Sequence, residues 1–225
     1  MRVVTYNVRG FRDGRERVAA VVRGLRPDVL LLQESGSRRD LRRFADEVGM
    51  RAARDPWSPF RRRVKNAVLL ADPWRFMSVE LVRFRGASRW YPRGALIARA
   101  TTGVDVVRTV STHFGLGGAE RAAQAASLVD LAAAPDGGAV IVGGDLNATP
   151  DMRAIRRISS ALRDAWTDVG HGPGPTFPAV APAARIDYIF VGGRVEVLHA
   201  RVAADSASSA SDHLPLAADL RVNGL

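Results

Sequence analysis

The chain has 225 residues, 47% of them hydrophobic, and contains no cysteine. This length provides enough apolar area for a core, and the lack of cysteine excludes disulfides, thiolate metal sites and cysteine nucleophiles. The formal net charge is +10, and Lys65 is the only lysine among the 33 basic residues. Arginine suits bidentate contact with phosphate, so a polyanionic partner is consistent with the charge; a genomic bias towards arginine, alanine and glycine explains it equally well.

No apolar run in the sequence is long enough to span a bilayer, and a predicted strand begins two residues after Met1, which leaves no room for a signal peptide. We therefore expect a cytoplasmic protein, with a mature secreted form that carries a new methionine as the alternative. No linker-like segment divides the chain, so residues 1–225 are expected to form a single domain.

The first part of the chain alternates predicted strands and helices. Continuous apolar runs predict buried strands at 3–8 and 29–33, and amphipathic patterns predict helices at 15–25 and 38–48. This order is typical of a β-α-β unit.

A basic, proline-interrupted loop is predicted from 51 to 65. Basic residues interleaved with aromatic ones can follow a phosphate backbone and stack exposed bases. The alternatives are a solvated loop and a loop that docks on anionic lipid. The candidate contacts with DNA or RNA in this loop are Arg61, Arg62, Arg63 and Trp57.

The rest of the chain predicts a mixed sheet structure. Turn signals separate β-type runs at 67–70, 77–84, 95–100, 104–112, 139–142, 186–191, 195–202 and 215–222. A helix is predicted at 120–131, and a glycine- and proline-rich loop at 170–184. The strand-helix-strand order around the helix at 120–131 repeats the opening pattern, which suggests two equivalent halves.

Short polar motifs follow or interrupt these apolar runs at six places. They are Thr5-Tyr6-Asn7, Gln33-Glu34, Ser111-Thr112-His113, Gly144-Asp145-Leu146-Asn147, Arg185-Ile186-Asp187-Tyr188 and Ser211-Asp212-His213. Each motif alone is more often a turn or a surface group. Because scaffolds commonly place chemistry at strand ends, six together predict one functional site.

The ligand types in these motifs predict a hard cation. Carboxylates and carboxamides without cysteine, and without paired histidines, favour Mg²⁺ or Mn²⁺ over Zn²⁺. The candidate metal ligands are Glu34, Asn7 and Asp212.

The other motif residues suit phosphate chemistry. Asp145 can position or deprotonate a water for in-line attack, and Asn147 can hold a phosphate oxygen. His213 can take charge if a carboxylate orients its ring, and Asp187 is available for that role.

Taken in order, the six motifs resemble the endonuclease/exonuclease/phosphatase superfamily of DNase I-like metal-dependent phosphoesterases, over residues 3–216. The resemblance implies an α/β (α+β) fold, a four-layered sandwich in which two packed mixed β-sheets lie between helices. It also implies a metal-dependent phosphoesterase site at one edge of the sheets.

The resemblance implies a role for each motif residue. Glu34 would be the principal metal ligand, assisted by Asn7 and Asp212. Asp145 would orient the attacking water. The remaining roles are contact with the phosphate by Asn147 and His113, and stabilisation of the pentacovalent state, or proximity to a second metal, by His213 held by Asp187.

The chain departs from the abasic-site endonucleases of that superfamily. Those enzymes carry an aspartate two residues after the motif asparagine, where this chain has Arg9, and a tryptophan where it has Ala183-Ala184. The chain is closer to the short bacterial members, whose substrates are diverse.

We therefore expect a divalent-metal-dependent phosphoesterase that cleaves phosphodiester bonds, with nucleic acid narrowly favoured as substrate. The alternatives are a phospholipid (sphingomyelinase-like), a soluble small-molecule phosphodiester or phosphate ester, and, more remotely, a noncatalytic phosphate-binding module. One metal or two, with the second near Asp145, Asn147 and His213, are both open. A Ser-His-Asp hydrolase is disfavoured because the sequence contains no Gly-x-Ser-x-Gly elbow. No obligate protein partner is expected.

Overall fold

The computed structural model describes residues 1–56, 62–88, 90–133, 137–172, 174–204, 207 and 209–222. The helices are α1 (Arg15–Leu25), α2 (Arg38–Val48), α3 (Gly118–Ala132), α4 (Arg153–Ser159) and α5 (Ala165–Val169). The strands are β1 (Arg2–Asn7), β2 (Val29–Gln33), β3 (Arg51–Arg54), β4 (Ala67–Leu70), β5 (Arg75–Arg83), β6 (Gly94–Thr101), β7 (Val106–His113), β8 (Ala139–Asp145), β9 (Arg163–Asp164), β10 (Gly170–His171), β11 (Asp187–Gly192), β12 (Val195–Val202) and β13 (Leu216–Val222).

The strands form two mixed sheets. The first has the order β10-β12-β13-β1-β2-β4-β3, and the second β5-β6-β7-β8-β11-β9. In the first sheet β1 and β2 are parallel neighbours joined by α1, and in the second β7 and β8 are parallel neighbours joined by α3. Each sheet therefore contains one β-α-β unit near its centre.

Three apolar clusters separate four layers. The middle cluster lies between the two sheets and includes Val29, Leu31 and Ile141. The outer clusters pack α1 and α2 on the first sheet, and α3 and α4 on the second. Strands that are covered on both faces are expected to be apolar throughout, which is why β2 reads Val-Leu-Leu-Leu before its polar end. The expected four-layered α/β sandwich is confirmed.

Local signals set the helix limits. Ser37 caps α2 in a reciprocal pair of hydrogen bonds with Asp40, and Gly49 ends the helix in the left-handed conformation. The predicted bounds of α1, α2, β2, β4 and β12 are those observed.

The structure corrects two of the predicted loops. The loop predicted at 51–65 begins with β3, an edge strand whose Arg-Ala-Ala-Arg sequence has too few apolar residues to signal a strand by pattern. The loop predicted at 170–184 begins with the two-residue strand β10. The helices α4 and α5 were not predicted, because seven and five residues are too short to show a clear helical period. Among the helices that the structure describes, none is long and apolar enough to cross a membrane.

Candidate active site

The carboxyl ends of the central strands of both sheets meet at one edge of the sandwich. The Nδ2 atom of Asn7, the last residue of β1, donates to Oδ2 of Asp145, the last residue of β8, at 2.9 Å. The Nε2 atom of Gln33, at the end of β2, donates to the hydroxyl of Ser111 in β7 at 3.2 Å. Polar groups from four strand ends are therefore joined across the two sheets.

Two glycines before Asp145 allow this close approach. A Cβ on Gly143 would lie 2.5 Å from Cδ1 of Leu31 in the opposite sheet, and one on Gly144 would lie 2.1 Å from the carbonyl oxygen of Thr112. Both distances are shorter than a Cβ tolerates. A side chain at Gly143 would push β8 away from the first sheet, and one at Gly144 would push it away from its neighbour β7 in the second sheet.

Asp145 is buried, and three nitrogen atoms lie close to its carboxylate, two of them as hydrogen-bond donors. Its Oδ2 atom lies 2.9 Å from Nδ2 of Asn7 and 3.2 Å from Nε2 of His113. Its Oδ1 atom accepts from the backbone N–H of Asn147 at 3.0 Å. The orientation of the carboxylate is therefore fixed within the protein.

Asp187 lies directly opposite Asp145 in the antiparallel pair of β11 and β8. Two like charges at such positions repel, and His213 lies between them. Its Nδ1 atom is 2.9 Å from Oδ2 of Asp187, and its Nε2 atom is 3.6 Å from Oδ2 of Asp145. The Thr176 hydroxyl also donates to Oδ2 of Asp187, at 2.7 Å.

Three nearby carboxylates decide the charge of His213. Burial by itself lowers the pKa of this histidine, but the charge and hydrogen bond of Asp187 and the charges of Asp145 and Asp212 outweigh burial and raise the pKa to about 9. The ring is therefore protonated at neutral pH, with Nε2–H directed at Asp145.

His113 is held in the opposite state. Burial, together with the nearby charges of Arg93 and His213, lowers its pKa to about 4, against the opposing effect of Asp145. An Arg93 guanidinium nitrogen lies 2.8 Å from Nδ1 of His113, and arginine can only donate, so Nδ1 is the acceptor. The proton of the neutral ring is therefore on Nε2, which lies 3.2 Å from Oδ2 of Asp145.

Asn147 lies beside His113. Its Nδ2 atom donates to the carbonyl oxygen of Phe114 at 2.9 Å and is 3.2 Å from Nε2 of His113. Asn147 has a φ of 49°, a left-handed conformation that asparagine tolerates better than most residues. The structure thus brings together Asp145, Asn147, His113, His213 and Asp187.

The three predicted metal ligands lie at the same edge. Glu34 follows β2 directly, and its backbone also has a left-handed φ of 50°, with its carbonyl oxygen accepting from the N–H groups of Gly10 and Gly36. A hydrogen bond of 2.7 Å from the Ser211 hydroxyl to the carbonyl oxygen of Asn7 ties the segment that carries Asp212 to the end of β1.

The three predicted metal ligands differ in the contacts that their side chains make. The Glu34 side chain is half-buried and makes no hydrogen bond or ion pair within the described part of the chain. Asp212 pairs with Nε of Arg9 at 3.2 Å, and Oδ1 of Asn7 accepts from the N–H of Arg9 at 3.0 Å.

The donor set fits a hard cation on two observations. One ligand atom from each of Asp145, Asp187 and His213 lies within 4.8 Å of the others. The Oδ1 atom of Asp187 is buried without a hydrogen-bond partner among the described residues, and Glu34 offers a further carboxylate. Because His213 is protonated, the donors left for a cation are the carboxylate oxygens of Asp145, Asp187 and Glu34, and oxygen donors are what Mg²⁺ and Mn²⁺ prefer.

The structure corrects one of the predicted nucleic-acid contacts in the loop at 51–65. Arg63 is engaged inside the protein, with Nε 2.8 Å from Oδ1 of the buried Asp55 and Nη1 donating to the carbonyl oxygen of Gly36, so it is not part of an exposed basic track. Arg62 lies over the Trp90 ring, 4.6 Å from its centroid. The predicted contacts Arg61 and Trp57 lie outside the described residues.

Two residues of the site escaped the sequence analysis. Arg93 precedes β6 and is one of many arginines in this chain, so nothing in the sequence marks it. Thr176 contacts Asp187 from across a loop, and a lone threonine in a proline-rich segment carries no catalytic signal.

His171 and His199, which belong to no motif, stack on each other with ring centroids 5.1 Å apart.

Comparisons with known proteins support a relationship over nearly the whole chain. Residues 4–213 match the Endonuclease/Exonuclease/phosphatase family. The uncharacterized protein YbhP of Escherichia coli K12 is 29% identical over 164 residues, which cover 70% of this chain and 62% of YbhP. This chain therefore spans less than two thirds of that relative's length.

Two solved structures share the fold at low sequence identity. Danio rerio TDP2, complexed with a single-strand DNA product, superimposes with a TM-score of 0.81 at 18% identity, covering 98% of each chain. The mannosyl-6-phosphatase Bt3783 of Bacteroides thetaiotaomicron VPI-5482 superimposes with a TM-score of 0.79 at 17% identity, covering 98% of this chain and 99% of that one. Because the family match spans nearly the whole chain and the fold agrees with it, this chain belongs to the endonuclease/exonuclease/phosphatase family, whose members are hydrolases that act on phosphoester bonds.

Proposed function

We propose that this protein hydrolyses phosphodiester bonds by in-line attack of a water, with Mg²⁺ or Mn²⁺ as its cofactor. The observation that carries the proposal is the buried series Asp187, His213 and Asp145, joined to Asn7 where the two sheets meet. Buried charges are costly unless they are paired. Here three ionisable side chains lie together at the strand ends, which is typical of a functional site.

In this mechanism His213 supplies positive charge. Asp187 and Thr176 fix the ring through Oδ2 of Asp187, which keeps Nδ1 protonated and leaves Nε2–H directed into the site. Negative charge develops on the phosphoryl oxygens in the transition state, and a preoriented imidazolium stabilises it without reorganisation.

Asp145 orients the attacking water. Two hydrogen bonds, from Asn7 and from the backbone N–H of Asn147, hold the carboxylate in one orientation, so the water that it binds would also be held in one direction. Asn147 and His113 would contact the phosphate through their N–H groups, on the side of Asp145 that faces β7.

Glu34, assisted by Asn7 and Asp212, would hold the cation. When bound there, a divalent ion neutralises charge on a phosphate oxygen. Asp212 would then break its ion pair with Arg9 and bind the ion instead. Both side chains are half-exposed, which permits this change of partner. Alternatively, a second ion near Asp145, Asn147 and His213 would supply the positive charge that is assigned here to protonated His213.

Nucleic acid is the substrate that we favour. The net charge is +10, and an aromatic surface adjoins the site: Trp90 is 66% exposed with Arg62 over its ring, and Tyr91 is 74% exposed. Such pairs of aromatic rings and guanidinium groups stack bases and contact phosphates. The likeness to a TDP2 structure that holds a single-strand DNA product is compatible with this choice.

A soluble phosphate ester is the second candidate. The internal ion pair of Arg63 removes one of the three consecutive arginines expected to follow a nucleic-acid backbone. The shared fold of a mannosyl-6-phosphatase is compatible with a small phosphate ester as substrate. A phospholipid remains the third alternative.

A panel assay with Mg²⁺ and Mn²⁺ tests the proposal. It compares plasmid DNA, single-stranded DNA, RNA, a chromogenic phosphodiester, a phosphomonoester and sphingomyelin. We expect metal-dependent cleavage of the diesters, with single-stranded nucleic acid cleaved most efficiently. Hydrolysis of the monoester alone would move the second candidate ahead, and no hydrolysis of any substrate with either metal would contradict the proposal.

A further inference from the structure

Glu34, the candidate principal metal ligand, lies in a strained turn between β2 and α2. Its φ of 50° is a left-handed value that costs free energy for a residue with a side chain. Its carbonyl oxygen accepts from the N–H groups of Gly10 at 2.8 Å and Gly36 at 2.7 Å. A Cβ on Gly36 would lie 2.9 Å from Cδ2 of Phe11, so Phe11 packs directly against the turn. Such a conformation persists because neighbouring segments hold it.

Arg63 holds the same turn from the segment that precedes β4. Its Nη1 atom donates to the carbonyl oxygen of Gly36 at 2.8 Å, and its Nε atom is 2.8 Å from Oδ1 of Asp55. Two residues later, the carbonyl oxygen of Lys65 accepts from the N–H of Ser35 at 2.9 Å. The two residues that follow the glutamate are therefore both bonded to the segment before β4.

The ion pair of Arg63 and Asp55 is poorly suited to stabilising the fold. The side chain of Asp55 is 1% exposed and that of Arg63 is 18% exposed, so both charges are largely removed from water. Oδ2 of Asp55 and Nη2 of Arg63 are buried without a hydrogen-bond partner among the described residues. A buried ion pair with unmet hydrogen bonds adds little net stability relative to apolar side chains. What the pair does provide is a fixed direction for the hydrogen bond from Arg63 to Gly36.

We propose that Arg63, oriented by Asp55, is a positioning residue that keeps the Glu34 turn in the conformation that binds a divalent cation. This inference rests on the proposed function, because it takes Glu34 as a metal ligand. Arg63 bonds to the backbone of the turn and not to the Glu34 carboxylate, so the carboxylate stays available to the ion. Arg63 therefore acts on the metal site and not on a nucleic-acid backbone, the contact that the sequence predicted for it.

Binding of Mn²⁺ in the absence of substrate, measured by electron paramagnetic resonance of the free ion, tests this role apart from turnover. Arg63→Met should weaken Mn²⁺ binding by about tenfold, the scale of one charge-assisted hydrogen bond. Arg63→Lys keeps a charge beside Asp55 but lacks the planar fork that reaches both partners, so it should weaken binding several-fold. The lysine variant decides the question if Arg63→Met does not fold.

The matched control is Arg51→Met. Arg51 pairs with Asp72 at 2.7 Å and donates to the carbonyl oxygen of Trp74, so it makes the same kinds of contact as Arg63. It begins β3, at the end of the first sheet that is opposite to the metal site. Its substitution should leave Mn²⁺ binding unchanged. A loss equal to that in Arg63→Met would show a general effect of removing an arginine and would overturn the inference.

A double variant separates positioning from a general loss of stability. In a Glu34→Gln background, Arg63→Met should cause little further loss of Mn²⁺ binding, because the ligand that it positions has already been removed. A further loss as large as in the wild-type background would show that Arg63 does not act through Glu34, and it would overturn the inference.

Two other outcomes separate this inference from the proposed function. If Glu34→Gln weakens Mn²⁺ binding but a folded Arg63→Met or Arg63→Lys protein binds as the wild type does, only the inference is wrong. If Glu34→Gln itself binds Mn²⁺ as the wild type does, the metal role of Glu34 in the proposed function is wrong, and the inference falls with it.

Discussion

The two β-α-β units have the same connectivity but differ in where their acidic residue lies relative to the end of the paired strands. In the first, Asn7 is paired with Gln33, and the carboxylate of Glu34 lies one residue beyond the paired strands. In the second, His113 is paired directly with Asp145, so the carboxylate is the last residue of the ladder. A difference of one residue thus separates a half-buried acid from a fully enclosed one.

This offset indicates different tasks for the two acids. Asp145 accepts hydrogen bonds from both sheets, and such a carboxylate is fixed for orienting a reactant. Glu34 makes no side-chain hydrogen bond within the described residues, and its backbone conformation is one that costs about 1 kcal/mol or more. A free, half-buried carboxylate in a strained position suits a ligand that arrives from solution.

The largest effect is expected from Asp145→Asn. The substitution keeps the shape of the side chain but removes the charge that orients water, so kcat for a phosphodiester should fall by at least about a hundredfold. Asp130→Asn, at an exposed position of α3 in the same unit, is the control and should leave kcat unchanged. Near-normal kcat in a folded Asp145→Asn protein would contradict the role given to the second unit.

His213→Ala should also lower kcat, by about a hundredfold, because it removes the charge between the two aspartates. Asp187→Asn should reproduce part of that loss, and the double variant should be little worse than His213→Ala, since the two residues act as a unit. His199→Ala, outside the site, is the control. Independent, multiplicative effects of the two substitutions would show that Asp187 does not act through His213.

The opposite charge states of the two buried histidines predict a bell-shaped stability profile in EDTA. The pKa of His213 is raised from 6.5 to about 9, so its contribution is fully present below pH 6.5 and is lost as the pH rises through 9. The pKa of His113 is lowered to about 4, so its contribution is present above pH 6.5 and is lost as the pH falls towards 4.

Chemical denaturation at a series of pH values measures this profile. His213→Gln should remove the alkaline decline and His113→Gln the acid one, each on the order of 1 to 3 kcal/mol in the free energy of unfolding. If His213→Gln shows the same alkaline decline as the wild type, the protonated state given to His213 is wrong.

The smallest effect concerns the aromatic surface beside the site. Trp90→Ala together with Arg62→Ser should raise KM for single-stranded DNA several-fold and reduce the salt dependence by about one phosphate contact. Turnover of a small chromogenic diester should be unchanged, because neither side chain makes a hydrogen bond or ion pair with a site residue among the described residues. Equal effects on both substrates would argue against a nucleic-acid surface here.

The residues at the ends of long apolar strands could be predicted from the sequence, because Asn7, Glu34 and Asp145 each interrupt such a run. The same runs predicted β-α-β units and a mixed sheet structure, and the four-layered arrangement was implied by the resemblance that the motifs carry. Arg93 could not be found, because its contact with His113 joins residues that are 20 positions apart in the sequence and is visible only in the folded structure. Arg63 was predicted to be a surface group. Its buried partner Asp55 lies eight residues away in a loop without periodicity, so the sequence does not reveal the ion pair.

The Mg²⁺ dependence of phosphodiester hydrolysis, measured for wild type, Glu34→Gln and Asp145→Asn, tests the difference between the two units most directly. We expect no turnover in EDTA, recovery on adding Mg²⁺, a shift of Glu34→Gln to higher Mg²⁺ with partial rescue, and no rescue of Asp145→Asn at any concentration. Undiminished turnover in excess EDTA, or equal rescue of both variants by Mg²⁺, would contradict the account.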